Sequence, residues 1–398
     1  MIYFISNFER SDFMLFPYKV SKLTTDEIEV FKKYFSDNGE YTFEGVWFRS
    51  QNKINKVNSG YIDETTRRRR TLHYRHVFYI ENDYLMVKSS YIYLSVRLPI
   101  FEYKEYLADK IETLLKNGYE YNGNYYKKDS VIIDLKEYDV HPDDEVVDGY
   151  RTLDIVVKSD NLDDTLEFYK QVWKLQVKGI REKDKRGVPK YATSFEEIKK
   201  YLPAQVELGC GPSIEAGVMP LYYLHEIYKV QKHSDGSFYF GKDDDLVNQI
   251  AIKDFKKFDE FYSIIIKCIK AKPTEFHKKL KKMYDDGLLL GDLLNNNFDH
   301  ICERVGIHEK ILRVYNIENY FPKIDFDKNV KSLLCIGTHA DRRGVQKQAR
   351  EKGLKIIYVD PEGFYTESGF EDYLIEGAKE GDIIFKMKSS DFANMVDE

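Results

Sequence analysis

The sequence predicts an α/β protein in two parts. An N-terminal α+β domain rich in short strands spans residues 1–190, and a parallel sheet with helices on both faces spans residues 191–398. Two observations carry this. Up to about residue 190 the strand candidates are aromatic and β-branched, with partial alternation. Beyond it they become continuous apolar runs separated by helices, as strands buried on both faces must be.

In the first part, "MIYFISNF", "YTFEGVWFRS", "LHYRHVFYI", "DYLMVKSSYIYLSVRL", "DSVIIDLKEY" and "RTLDIVVKS" read as strands. Helices are expected over 25–35, 103–116 and 162–175; in the second of these Leu107, Ile111 and Leu114 share one face. "YEYNGNYYKKDS" carries the signal of an Asn-Gly hairpin. The charged stretch "REKDKRGVPKYATS", 181–194, is punctuated by Gly187 and Pro189 and is expected to be a linker. After it, "QVELGCG", "LLLGDLL", "SLLCIGT", "LKIIYVD" and "DIIFKM" read as buried strands. A helix opens at Pro273 and ends at Gly287, another is expected over 301–306, and a third over 345–352, closed by Gly353, is short enough to cross between two strands.

Composition narrows the function classes. The chain has 398 residues, 42% hydrophobic and 32% charged, which is globular, and its net charge of −6 argues against whole-chain binding to nucleic acid. Cys210, Cys268, Cys302 and Cys335 form neither a CxxC nor a Cys/His zinc spacing, so no disulfide framework and no metal site is expected. The first residues lack a basic leader segment, and no run of ~20 apolar residues occurs. A cytoplasmic protein with no membrane partner is the expectation.

Three strand-end segments carry candidate chemistry. In "QVELGCGPSIEAGV", Gly209 and Gly211 remove Cβ atoms where a strand turns into a helix, so backbone N–H groups can approach a phosphate. Ser213 adds a hydroxyl and Pro212 suits a first helical turn, although a bare tight turn explains the same glycines. In "NNNFDH", Asn297 and Asp299 follow a strand, where ligands sit in open α/β sheets; an Asn-rich helix cap is the plainer alternative. In "SLLCIGTHADRRG" and "LKIIYVDPEG", Gly337-Thr338 and then Asp360 end successive strands, and such an acid can accept hydrogen bonds from ribose hydroxyls.

Together these segments resemble the sirtuin family of NAD-dependent protein deacylases and their NAD-hydrolysing relatives. "GCGPSIEAGV" is similar to the family's Gly-Ala-Gly-x-Ser loop, "PTEFHKKLKKMYDDGLL" to its Pro-Thr-x-x-His helix, and "NNNFDHICERVG" to its Thr-Gln-Asn-Ile-Asp segment. "IGTHADRRG", "IIYVDPE" and "DIIFKMKSSDFANMV" follow in family order, so the resemblance covers roughly residues 195–398. It implies a Rossmann-like, sirtuin-like (DHS-like) sheet with NAD as cofactor. Gly209, Cys210, Gly211 and Ser213 would then line the pyrophosphate. Asn297 and Asp299 would hold the nicotinamide and its ribose, and Gly337, Thr338 and Asp360 the adenosine side.

The departures are chemical. Where the family places its catalytic His-Gly, this chain has Tyr315 and Asn316, and a phenol of pKa ~10 is a poor base near neutrality. The Phe-Arg after the first loop is replaced by Leu221 and Tyr222, and there is no room for the zinc module. The resemblance therefore implies NAD or ADP-ribose binding and cleavage of the nicotinamide N-glycosidic bond more than deacylation. Asn297 and Asp299 are the candidate catalytic residues, and His308 or His339 a replacement base. Sirtuin-like NAD hydrolases are often fused to partner modules in bacterial defence, which implies an effector role here. The alternatives are an inactive nucleotide sensor or scaffold, or a binding factor.

Outside this region "TTRRRRTLHYRH", 65–76, holds five arginines and two histidines. Arg67–Arg70 read either as a polyanion site for nucleic acid or an acidic partner, or as a solvated face. Residues 1–190 are expected to act as a sensor, a regulator or the surface for a protein partner or a second copy.

Overall fold

Runs of aromatic and β-branched residues leave the first half of the chain little alternative to extended backbone. The structure, a computed structural model, describes residues 17–52, 57–58, 61–63, 68–100, 111–138, 151–159, 180–182, 187–218, 231–232, 238–239, 259–312, 322–338, 341, 343–366, 369–375 and 377–396. The expected strand at 1–8 and helix at 162–175 lie outside these residues, as do Arg67, Tyr315, Asn316 and His339.

The first half is built on β1 (Tyr18–Lys22), β2 (Glu40–Asn52), the short β3 (Val57–Asn58) and β4 (Tyr61–Asp63), β5 (Arg68–Glu81), β6 (Tyr84–Ile100), β7 (Glu120–Tyr121), β8 (Tyr126–Lys128), β9 (Val131–Tyr138) and β10 (Arg151–Lys158). An antiparallel sheet runs β2-β5-β6-β10-β9-β8-β7, with β1 added on β6. Several strands exceed the lengths expected from the sequence. Asn82 and Asp83, both at positive φ, form a two-residue turn between β5 and β6, as such hairpins require. The ladder then runs from Glu81↔Tyr84 to Arg69↔Arg97, with one register shift between His73 and Tyr74, so Arg68–Arg70 extend a strand. The Asn-Gly hairpin joins β7 to β8, where the Asn122 side chain accepts from the N–H groups of Asn124 and Tyr125.

Part of the stretch expected as a linker is sheet. β11 (Ile180–Glu182) pairs with β4, and β12 (Lys190–Tyr191) joins the C-terminal sheet, which satisfies backbone groups a bare linker would leave to water. β13 (Ala204–Leu208) follows, then a small hairpin of β14 (Gln231–Lys232) and β15 (Phe238–Tyr239). Next come β16 (Leu293–Asn295), β17 (Glu309–Ile311), β18 (Ser332–Ile336) and β19 (Lys355–Val359). The hairpin of β20 (Gly363–Thr366) and β21 (Gly369–Asp372) precedes β22 (Ile383–Phe385). "LLLGDLL" is not one strand: Gly291, at φ +73°, breaks it, and pairing resumes only at Leu293. The helix expected over 301–306 is a single 3-10 turn, Glu303–Val305, ended by the left-handed Gly306.

The C-terminal sheet is parallel throughout, in the order β12-β22-β19-β18-β13-β16-β17. From β13 the chain steps to one side for β16 and β17, then returns to the other side for β18, β19 and β22. The strand order thus reverses at β13. Side-chain alternation divides the sheet between two cores. Val206, Leu334, Ile357 and Phe385 pack with Phe276, Leu280 and Phe392 of the helices Glu275–Asp285 and Ser389–Met395. Leu333, Ile356, Tyr358 and Ile384 pack with Val345 and Ala349 of the crossover helix Val345–Glu351. Helices cover both faces, as continuous apolar strands demand. Among the described residues no helix is long and apolar enough to cross a membrane.

Leu334 is fully buried at the centre of the first core. Leu334→Ala is expected to destabilise the protein by about 2–5 kcal/mol, read as a lower midpoint in urea denaturation; an unchanged midpoint would contradict this packing.

Candidate functional site

The carboxyl ends of adjacent parallel strands converge where the order reverses, so the loops after β13, β16, β18 and β19 share one edge. Sheet hydrogen bonding continues past each strand. The Gly209 N–H donates to Ile336 O at 2.8 Å, Gly337 N–H to Val359 O at 2.9 Å and Asp360 N–H to Phe385 O at 3.1 Å.

The glycines at this edge serve each other. A Cβ on Gly209 would sit 2.1 Å from the Gly337 carbonyl oxygen, and one on Gly337 2.7 Å from the Gly211 nitrogen. Gly337 is also left-handed, at φ +65°. The space vacated by the missing side chains is filled by the facing loop, which explains these glycines without a ligand. Cys210 lies between them, and Pro212 and Ser213 are buried in the five-residue helix Gly211–Glu215.

Asn297 and Asp299 join this constellation. The Asn297 amide donates to Gly209 O at 2.6 Å, while its backbone N–H donates to Asn295 Oδ1 at 2.8 Å. The Ser213 hydroxyl donates to Asp299 Oδ2 at 2.5 Å, and Asp299 Oδ1 accepts from the Ile301 N–H. Two polar bridges therefore clamp the β16 loop onto the β13 loop, with all three side chains buried. Thr338 follows Gly337 at the same edge.

Asp360 ends β19 and is nearly inaccessible. The Tyr373 hydroxyl lies 2.8 and 2.9 Å from its two oxygens, and the Glu362 N–H donates to Oδ1. Burial pushes its carboxyl up to about 6 against these donors. Glu362, also buried, accepts from the Tyr191 hydroxyl of β12. His308 is not part of this edge. It precedes β17 beside Leu293, the first residue of β16, so it lies at the amino end of the sheet, exposed and 3.2 Å from Glu303.

Sequence reasoning missed the residues that support the loops. Arg304 donates to the carbonyls of Cys268, Ala271 and Asp299 at 2.6–2.8 Å, tying the Asn-rich segment to the end of the Asp259–Lys270 helix. Glu207, fully buried on β13, accepts from the Asn296 and Gln346 amides and from the Cys335 thiol. Burial, with the Asp341 carboxyl nearby, pushes it up to about 7. A signal for Glu207 existed: in "QVEL" two polar residues alternate within a strand buried on both faces.

No protein-family model matches the chain, and no curated protein matches it. The fold is similar to that of Sir2 structures. Sir2 with a deacetylated p53 peptide and 3′-O-acetyl-ADP-ribose is 15% identical with a TM-score of 0.34, covering 51% of this chain and 97% of that chain. Sir2 with a p53 peptide and NAD+ is 14% identical with a TM-score of 0.31, covering 51% and 95%. Sir2 bound to an acetylated peptide is 16% identical with a TM-score of 0.32, covering 51% and 95%. Each of these likenesses covers about half of this chain.

Two outcomes follow. Gly209→Ala is expected to force the β13 and β18 loops apart, lowering the thermal midpoint by several degrees; an unchanged midpoint would show that the loops yield freely. For Glu207, the unfolded chain ionises near 4.5, before the folded carboxyl titrates near 7, so its contribution to native stability falls as pH rises through that window. Glu207→Gln is expected to flatten the stability profile between about pH 5 and about pH 7 in urea denaturation. An unaltered slope would contradict this.

Proposed function

We propose that the carboxyl edge of the parallel sheet binds NAD or ADP-ribose, with residues 191–398 as the nucleotide domain and residues 1–190 as a regulatory or partner-binding domain. One observation carries the reading. The three segments that resemble sirtuin motifs end β13, β16 and β18, at the point where the strand order reverses. There Ser213, Asn297 and Asp299 are already held in one hydrogen-bonded constellation. These side chains and the adjoining backbone amides suit a ligand with phosphates and ribose hydroxyls.

In this reading the reaction is hydrolysis of the nicotinamide N-glycosidic bond. The bond from the ribose anomeric carbon to the ring nitrogen breaks, and water adds to that carbon. Nicotinamide, ADP-ribose and a proton leave. Asp299, a carboxylate beside the reacting ribose, would stabilise the developing oxocarbenium charge, and Asn297 would orient the sugar. By the same resemblance, such an activity would serve as a bacterial defence effector.

Tyr315 favours a second reading, a nucleotide sensor that keeps the pocket and lacks the base. Nicotinamide release from NAD, lost in Asn297→Ala, is the expected outcome of the first reading. Calorimetric binding of NAD or ADP-ribose without release would select the sensor. No binding of either at about millimolar concentration would overturn both.

A further inference from the structure

The Asn-rich loop has a second side. Asn297 and Asp299 reach toward Gly209 and Ser213, whereas Phe298 between them lies in the core of the N-terminal sheet. That core contains Phe43, Phe78, Leu85, Val87 and Ile133 from the sheet, and also Ile301 of the loop. The rings of Phe43 and Phe298 meet edge to face with centroids 5.0 Å apart. His300 adopts a left-handed conformation at φ +54° and packs edge-on against Phe35, again at 5.0 Å.

Arg304 closes the same joint from below. One guanidinium nitrogen donates to both Cys268 O and Asp299 O, at 2.7 and 2.8 Å. The other donates to Ala271 O at 2.6 Å. Its planar face lies 5.8 Å from the Tyr34 ring and 5.6 Å from the Phe35 ring. Cys268 and Ile269 belong to a helix whose Tyr262, Ile265 and Ile269 fill the N-terminal core. The backbone that carries Asp299 is thereby held by Arg304, which is anchored on a helix of its own half and packed against Tyr34 and Phe35 of the other half.

We infer that Phe298 and Arg304 are positioning residues through which the N-terminal sheet sets the geometry of Asn297 and Asp299. A change of packing at Phe35 or Phe43 then alters the pocket, and a ligand in the pocket alters that packing by the same coupling free energy. The ligand half of this statement rests on the pocket reading above; the packing half does not.

The test combines hydrogen exchange with binding. In the full-length protein, Phe43→Leu and Arg304→Lys are expected to speed amide exchange in residues 295–302 by about tenfold while β19 keeps its protection, a local response that general destabilisation would not produce. ADP-ribose affinity is expected to fall by about tenfold. Combined with Asn297→Ala, Phe43→Leu is expected to cost less affinity than it does alone, because part of its effect passes through that residue. Unchanged exchange in 295–302 in a folded variant, or fully additive affinity losses, would overturn the inference. If Phe43→Leu fails to fold, Arg304→Lys decides. If the wild type binds neither nucleotide, the pocket reading fails, and the exchange data still settle the coupling.

Discussion

Much of the C-terminal architecture depends on one close approach of backbone to backbone. Gly209 after β13 and Gly337 after β18 stand where a Cβ would come within 3 Å of the facing backbone, and Gly211 packs nearly as closely. That contact brings the two strand-end loops close together, and the β16 loop folds over them with its amide on Gly209 O. The polar groups of this edge are therefore arranged by contacts within the protein.

Beneath this edge runs a polar seam through an otherwise apolar face. Glu207 accepts from Gln346, Gln346 accepts from the Tyr358 hydroxyl, and Arg350 joins Tyr358 to Asp382. Buried ionisable groups of this sort add little net stability, because desolvation offsets their mutual attraction. What the seam supplies is register. It pins the Val345–Glu351 helix to β13 and β19 at points where apolar side chains would tolerate a slide, and it holds Asn296 beside the loop that carries Asn297.

The continuous apolar runs made the parallel sheet and its two covered faces readable from the sequence, because burial on both sides leaves no polar alternation. The left-handed glycines after helices and turns, such as Gly287 and Gly353, were readable for the same local reason. Strand order was not, since nothing local in "LLNNN" or "SLLCIG" says which neighbours flank β13. The lengths of β5 and β6 were hidden because their pairing continues past a register shift at His73/Tyr74, far beyond the hydrophobic signal. Arg304 was invisible for a further reason: its partners are carbonyls, which every residue possesses. The glycine pair was legible as a tight turn, but the facing loop that occupies its space is absent from any local window.

The Asp259–Lys270 helix carries a consequence for how the chain is made. Its Tyr262, Ile265 and Ile269 complete a core whose sheet strands are all translated by Lys158. During synthesis that core stays incomplete until roughly a hundred more residues have emerged. Order of translation and order of burial are thus interleaved. The half of the molecule that begins first is finished by the half that begins second.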